Sequence, residues 1–385
     1  MKKIMALVLT VAFLTLFGIG LPQKASAEEY QMNLQAKSAI LMDSETGAVL
    51  FEQNADEALP PASVTKIMTL LLVMEAIENG RIALSDHVTV SEEAAAMGGS
   101  QVYLEVGETM TVDEMIKCVV IASANDAAYA LAEHVAGSEA AFVSRMNARA
   151  AELGMKNTHF ENTNGLDDTA KEHLISARDI AIMSRALIRH EKILEYTTIW
   201  QDSVRNGAFT LTNTNRLVRF YPGATGLKTG STSKALFCIS ATAKRDGTHL
   251  IAVVMGAPTR DIRNAEAKKL LDYGFASYTC YKTEGESLAP IPLLGSKSDM
   301  LPICVAPISV VLQKGQDSRI KVEYSLPESL SAPVTEGDVI GYAEYTVDGK
   351  TVAKADVVAL ASAEPIGFLE LLWRLFCQTV GIASK

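Results

Sequence analysis

The chain has 385 residues, 48% of them hydrophobic and 21% charged, with a formal net charge of −10. At roughly 150 residues per domain this is enough for two or three packed cores, so a disordered chain is excluded, and the acidic balance leaves no basic footprint for nucleic-acid phosphates. The cysteines (Cys118, Cys238, Cys280, Cys304 and Cys377) are widely spaced and form no C-x-x-C pair, which argues against a zinc ribbon, a redox dithiol or a disulfide-built scaffold.

Residues 1–27 read as an export signal: Met1-Lys2-Lys3 is a basic start, Ile4 to Leu21 an apolar stretch and Ala25-Ser26-Ala27 a small-residue cleavage site. The alternative is an uncleaved membrane anchor. Cleavage removes Lys2, Lys3 and Lys24 and no acid, leaving 32 basic and 45 acidic residues. Binding an anionic substrate then needs locally placed cations.

From Ser38 to Glu52 apolar residues flank Asp43-Ser44-Glu45-Thr46-Gly47, which predicts a hairpin. Val64 to Ala76 is dense in helix formers and stops at Asn79-Gly80, predicting a buried helix. Thr111-Val112-Asp113-Glu114 is a capping-box pattern ahead of Met115 to Ala122, and Asp126 to Ala136 predicts a further helix. Residues 80–195 are thus mainly helical. Ala235 to Ala243 and His249 to Gly256 predict strands joined by Lys244-Arg245-Asp246-Gly247, with a helix from Ile262 to Phe275.

Beyond about residue 281 six prolines punctuate short β-type runs, Ile308 to Leu312, Ile320 to Tyr324 and Val339 to Thr346 among them, which predicts a small β domain over residues 281–360. Pro365 to Ile382 is an amphipathic helical pattern with Glu370, Arg374 and Gln378 as its polar stripe. The expected organisation is an export signal (1–27), a catalytic domain (28–280), a small β domain (281–360) and a C-terminal amphipathic helix (361–385).

S-x-x-K occurs twice, at Ser63-Val64-Thr65-Lys66 and Ser231-Thr232-Ser233-Lys234. About one chance match is expected in a chain of this length, so context must separate them. Ser63 opens a helix, where three residues bring Lys66 onto the same face, whereas in the strand-like run after Ser231 positions i and i+3 point to opposite faces. A serine hydroxyl attacks well only if a base takes its proton, and a lysine serves when burial or a neighbouring cation lowers its pKa. A helix start also aims backbone N–H groups at a developing oxyanion. The bland alternative makes Ser63 a helix cap and Lys66 a solvated lysine. Two further motifs occur once each: Ser123-Ala124-Asn125, between two apolar helical runs, and Lys228-Thr229-Gly230, leading into a β-rich run. The first is otherwise only a cap and the second only a turn. An edge strand beginning at Lys228 would offer backbone groups to an extended peptide, with Gly230 leaving room for its approach.

S-x-x-K, S-x-N and K-T-G in this order resemble the signature of penicillin-binding proteins and serine β-lactamases. Pro61 to Thr69, Ser123 to Ala127, Gly226 to Ala235 and Leu270 to Phe275 are similar to the D-alanyl-D-alanine carboxypeptidases among them, a resemblance covering about residues 35–280. It implies an α+β fold: a β-lactamase/transpeptidase-like domain with an antiparallel sheet flanked by helices and a helical subdomain, then a small all-β domain and a C-terminal amphipathic helix. It also implies Ser63 as nucleophile, Lys66 as proton acceptor, Ser123 as relay to the leaving D-alanine and Asn125 as partner of the substrate's amide side chain. Lys228 would supply positive potential, Thr229 would bind the terminal carboxylate, Gly230 would give room, and the N–H groups of Ser63 and Ser231 would form the oxyanion hole. One lysine would thereby hold the anionic terminus. Phe160-Glu161-Asn162-Thr163-Asn164-Gly165-Leu166 departs from the Asn-Pro-His-Gly-Leu of many relatives, which touches the shape of this loop and not the core chemistry, and His173 reads as structural.

The implied substrate is a peptidoglycan pentapeptide ending in D-Ala-D-Ala, with β-lactams as covalent inhibitors, no metal or cofactor, no nucleic acid, and a location on the outer face of the cytoplasmic membrane, held by the C-terminal helix. A β-lactamase, a D,D-endopeptidase of the same fold and a non-catalytic peptidoglycan-binding scaffold are the alternatives. No E-x-x-L-N segment, which would carry a deacylating glutamate, lies between Asn125 and Lys228, and neither G-x-S-x-G nor H-E-x-x-H is present.

Overall fold

The computed structural model describes residues 32–167 and 170–380, apart from the side chains of residues 374, 375 and 378. The expected export signal lies outside the described residues. The chain divides into two compact units, Met1–Leu34 and Gln35–Lys385, and the second is described below.

Its centre is a five-stranded antiparallel sheet built from both ends of a helical block. Strands β1 (Ser38–Asp43) and β2 (Val49–Gln53) form the expected hairpin, and β3 (Ala224–Thr232), β4 (Leu236–Arg245) and β5 (Thr248–Ala257) follow the block, in the order β3-β4-β5-β1-β2. All six residues of β1 are buried, so its sequence shows no alternation. The cause is helices on both faces. Ser240 on β4 bonds Ser184 of a helix spanning Ala177–Ile188, whereas Leu250, on the other face of β5, packs at Gly274 of the helix Arg260–Ser277.

Within the block, Ala62–Thr65 is a 3₁₀ turn running into helix α1 (Lys66–Glu78), ten of whose thirteen residues are buried. Ser63 thus sits in a turn ahead of the helix, and it makes no side-chain cap bond. The capping box at Thr111 and Glu114 forms as expected and opens α2 (Val112–Lys117), which passes into a π-turn over Cys118–Ala122. Ser123 then takes the left-handed conformation, with φ of 62°, before α3 (Asn125–Ala136) begins. A corner rather than a continuous helix therefore projects the S-x-N side chains. After the block, a short helix α4 (Leu217–Phe220) precedes β3, and α5 (Arg260–Ser277) follows β5.

A second hydrophobic core runs between Ile291 and Ala359, separate from the one between Ile40 and Met255. It lies under a five-stranded sheet of β6 (Glu286–Ser287), β7 (Ile303–Val305), β8 (Lys321–Ser325), β9 (Val339–Val347) and β10 (Lys350–Ala359), in the order β6-β7-β10-β9-β8. Helix α6 (Phe368–Val380) closes the described chain. Of its expected polar stripe, Glu370 pairs with Lys297 at 3.6 Å, and the side chains of Arg374 and Gln378 lie outside the described residues.

Candidate active site

Three elements converge on one cleft of about 200 Å³, lined by Ser63, Ser123, Thr229, Gly230 and Ser231 together with Ser100, Thr214, Arg260 and Arg263. The first element is the turn at Ser63. Ala62, just before the serine, is held at φ of 49°, a conformation that costs a non-glycine residue about 1–2 kcal/mol and persists only under surrounding constraint. The constraint is visible on both sides. A Cβ on Gly165 would meet the Ala62 carbonyl oxygen at 1.9 Å, and one on Gly230 would meet the backbone oxygen of Pro61 and nitrogen of Ser63 at 2.8 Å. Glycine at these two positions lets a loop and a strand close on the turn.

One helical turn beyond Ser63, Lys66 is fully buried. Its Nζ lies 2.9 Å from Ser63 Oγ, 2.5 Å from Asn125 Oδ1 and 3.0 Å from the Asn164 carbonyl oxygen. Burial, and then the charge of Lys228, drive its pKa well below the usual lysine value. A lysine so placed tends to the neutral amine that takes a proton from a hydroxyl.

The second element is the corner at Ser123. Lys228 Nζ donates to Ser123 Oγ at 2.7 Å and to the Thr229 carbonyl at 3.0 Å. Burial, with Arg263 adding repulsion, lowers the Lys228 pKa to about 7. The resemblance gives Asn125 to the substrate's amide, but both ends of that side chain are used inside the protein: Oδ1 accepts from Lys66 and Nδ2 donates to the Gly98 carbonyl at 2.6 Å. Asn125 thus positions Lys66, and these bonds leave one Nδ2 hydrogen and one Oδ1 lone pair over.

The third element is β3, the sheet's edge strand. Lys228-Thr229-Gly230 lies in the middle of the strand, which starts four residues earlier than the K-T-G motif suggests, so the motif is neither a turn nor a strand start. Thr229 Oγ1 donates to Thr214 Oγ1 at 2.9 Å, and both residues line the cleft. The second S-x-x-K behaves as the spacing argument requires: Lys234 turns away to donate to the Asp167 carbonyl at 2.7 Å.

Two sets of residues escaped the sequence reading. Arg260 and Arg263, from the first turn of α5, line the cleft, and Arg263 is only 3% exposed with no carboxylate partner among the described residues. Its guanidinium donates to Asn264 Oδ1, and burial lowers its pKa to about 10. The cleft therefore carries more than one local cation. The loop Glu161–Leu166 also reaches the turn of Ser63 through its backbone: the Asn164 carbonyl holds Lys66 and the Thr163 carbonyl accepts from Thr69 Oγ1 at 2.6 Å. His173 fastens this loop. Its Nδ1 accepts from the Glu161 N–H at 3.0 Å, which leaves Nε2–H to donate to Thr65 Oγ1 at 2.8 Å. Among the described residues no group of three or more His, Cys, Asp or Glu is arranged to hold a metal ion.

The family model for D-alanyl-D-alanine carboxypeptidase matches residues 23–259, and that for the penicillin-binding protein 5 C-terminal domain matches residues 277–365. The D-alanyl-D-alanine carboxypeptidase DacF of Bacillus subtilis is 41% identical over 382 residues, covering 97% of this chain and 98% of its own. The crystal structure of penicillin-binding protein 5 from Haemophilus influenzae superposes with a TM-score of 0.77 at 32% identity, covering 87% of this chain and 99% of its own. Penicillin-binding protein D2 from Listeria monocytogenes, in its ampicillin-bound form, matches with a TM-score of 0.59 at 33% identity over 64% of this chain and 99% of its own.

Proposed function

The chain belongs to the D-alanyl-D-alanine carboxypeptidase family, and on that premise we propose that it removes the terminal D-alanine of peptidoglycan stem peptides through an acyl-enzyme on Ser63. It is a D-Ala-D-Ala carboxypeptidase and a penicillin-binding protein, hence a hydrolase. The observation that carries the residue assignment is the 2.9 Å contact between Ser63 Oγ and a fully buried Lys66, facing a strand that bears K-T-G.

Neutral Lys66 takes the Ser63 proton as Oγ bonds the carbonyl carbon of the penultimate D-alanine. The backbone N–H groups of Ser63 and Ser231 receive the oxyanion. The C–N bond then breaks, and the proton held on Lys66 passes through Ser123 to the departing amine. Lys228 holds Ser123 by the 2.7 Å bond, and its charge keeps Lys66 easy to deprotonate. Lys66, neutral again, activates the water that releases the acyl group. Thr229, helped by Arg263 and Arg260, binds the substrate's terminal carboxylate.

We propose that β-lactams enter the same cleft as covalent inhibitors, a reading supported by the ampicillin-bound form of the Listeria relative. Among the described residues the cleft lining carries no carboxylate to serve as a deacylating base, which favours slow release of a penicilloyl group over β-lactamase turnover. We also propose export directed by residues 1–27, residence on the outer face of the cytoplasmic membrane, and attachment to it through α6. Phe368, Leu369, Trp373 and Phe376 are each more than half exposed on that helix, and no helix among the described residues is long and apolar enough to cross a membrane.

The test is D-alanine release from a peptide ending in D-Ala-D-Ala, compared with the same peptide amidated at its C-terminus. Amidation is expected to cost the wild type far more than Thr229→Ala, which has already lost the hydrogen bond. Equal losses would move the carboxylate site elsewhere.

A further inference from the structure

We infer that the groove between α4 and α5 is a binding site for an anionic polymer joined by phosphodiester links, separate from the cleft and from the chemistry on Ser63.

The groove holds about 330 Å³ and shares no lining residue with the cleft. Arg216 and Phe220 stand on the α4 side, four residues apart on one helical turn, and the Arg216 guanidinium lies 5.6 Å from the Phe220 ring centre. Arg219 lies 5.6 Å from the same ring and 5.4 Å from that of Trp200, and the two rings meet edge-on at 6.0 Å. Phe220 is nevertheless 54% exposed. Stacking occupies the flat faces of the guanidinium groups and leaves their N–H edges over. Among the described residues, the side chains of Arg216, Arg219 and Lys268, the last across the groove on α5, make no ion pair.

Acceptors are scarce in this groove. Asp261 is its single acid, and it sits in the first turn of α5, where the helix N-terminus draws on its charge. The Asn264 amide oxygen already accepts from Arg263 at 2.9 Å. The remaining polar groups are donors and cations. A peptide ligand brings a backbone N–H with almost every residue, and the groove has little to receive it. A phosphodiester link brings one full negative charge and acceptor oxygens with no donor, and arginine forks match its geometry. The exposed Phe220 ring offers an apolar surface to the carbon part of a repeat. In a protein of net charge −10 these cations are a local exception, and contacts that are weak singly add up along a chain.

Trp200 and Trp373 are the two tryptophans of the sequence, so in a Trp373→Phe background the emission reports on the cluster at Phe220. The experiment titrates the purified full-length Trp373→Phe protein with poly(glycerol phosphate), poly-L-glutamate and phosphatidylglycerol vesicles, reading emission and calorimetric heat. The phosphodiester polymer is expected to bind, to change the emission and to bind less tightly as salt rises, and Arg216→Glu/Lys268→Glu should weaken it about 10-fold or more. Poly-L-glutamate should bind at least about 10-fold more weakly than the phosphodiester polymer, and vesicle binding should be the same with and without the double substitution. D-Alanine release from a pentapeptide should stay within about twofold in the double variant, which reports its folding. If release falls further, Arg216→Gln and Lys268→Gln, each alone, carry the same comparison. Absence of both heat and emission change with the phosphodiester polymer overturns the inference, as does binding that the substitutions leave intact. Equal binding of poly-L-glutamate would assign the groove to an acidic polypeptide instead, and vesicle binding lost with the substitutions would assign it to lipid headgroups.

Discussion

In the proposed mechanism Lys66 is the residue on which the chemistry turns, and burial and a second lysine both act to lower its pKa. Because the Lys228 charge is one of those causes, Lys228→Gln should raise the Lys66 pKa, and the rising limb of kcat/KM against pH for penicillin acylation should move to higher pH. A limb that stays in place or moves down would detach Lys228 from Lys66. Gly230 offers a steric test. Its missing Cβ leaves 2.8 Å to the Ser63 nitrogen, so Gly230→Ala must push β3 off the turn. Acylation should fall about 100-fold, with the thermal midpoint lowered only by the modest cost of overpacking. Normal acylation would show that strand and turn need not meet. Ser63, Lys66, Ser123 and Lys228 were legible because each sits in a short motif whose spacing fits its element. Arg260 and Arg263 were not, because only the fold brings α5 back to the cleft some thirty residues after K-T-G, and no local pattern marks them.

At the scale of elements, the loop Glu161–Leu166 is a structural arm of the nucleophile turn, and His173 is its fastener. Burial holds the His173 pKa near 4, against 6.5 for an ordinary histidine. The sign follows directly: between these values the unfolded chain takes up a proton that the folded chain refuses, so this contribution is complete above pH 6.5 and is lost as pH falls toward 4. Its size is about 3 kcal/mol. His249, also depressed to about 4 by burial, acts in the same window. His173→Gln should therefore lower stability at neutral pH by removing a hydrogen-bonded anchor, yet flatten the acid side of a denaturation series. An unchanged slope between pH 6.5 and 4 would mean that His173 titrates normally in the fold. Hairpins, the capping box and α1 were readable from turn residues and periodicity. The short strand Leu174–Ser176 was not, since one partner, Ala58–Leu59, lies more than a hundred residues away in sequence and the other, Thr158–His159, is only two residues long.

Across the whole molecule, two hydrophobic cores separate the chemistry from the β-rich C-terminal part, and α6 projects its apolar residues outward while Glu370 meets Lys297. Deleting residues 364–385 should leave D-alanine release within about twofold, because the cleft takes nothing from α6, but should abolish sedimentation with liposomes, whose contact with the helix is mostly apolar. Sedimentation unchanged by the deletion would reassign α6 to docking on protein. The division into a catalytic part and a β part was legible from proline spacing and the change in strand pattern. The role of the Asn164 loop was not, because a carbonyl contact to Lys66 depends on backbone position and leaves no mark in side-chain identity.

The most direct test of the account is intact-protein and peptide mass spectrometry after incubation with a penicillin. The account predicts one added penicilloyl group on the peptide containing Ser63, absent in Ser63→Ala and reduced about 10² to 10⁴-fold in rate in Lys66→Ala. A label on Ser123 or Ser231, or acylation at the normal rate without Lys66, would contradict it.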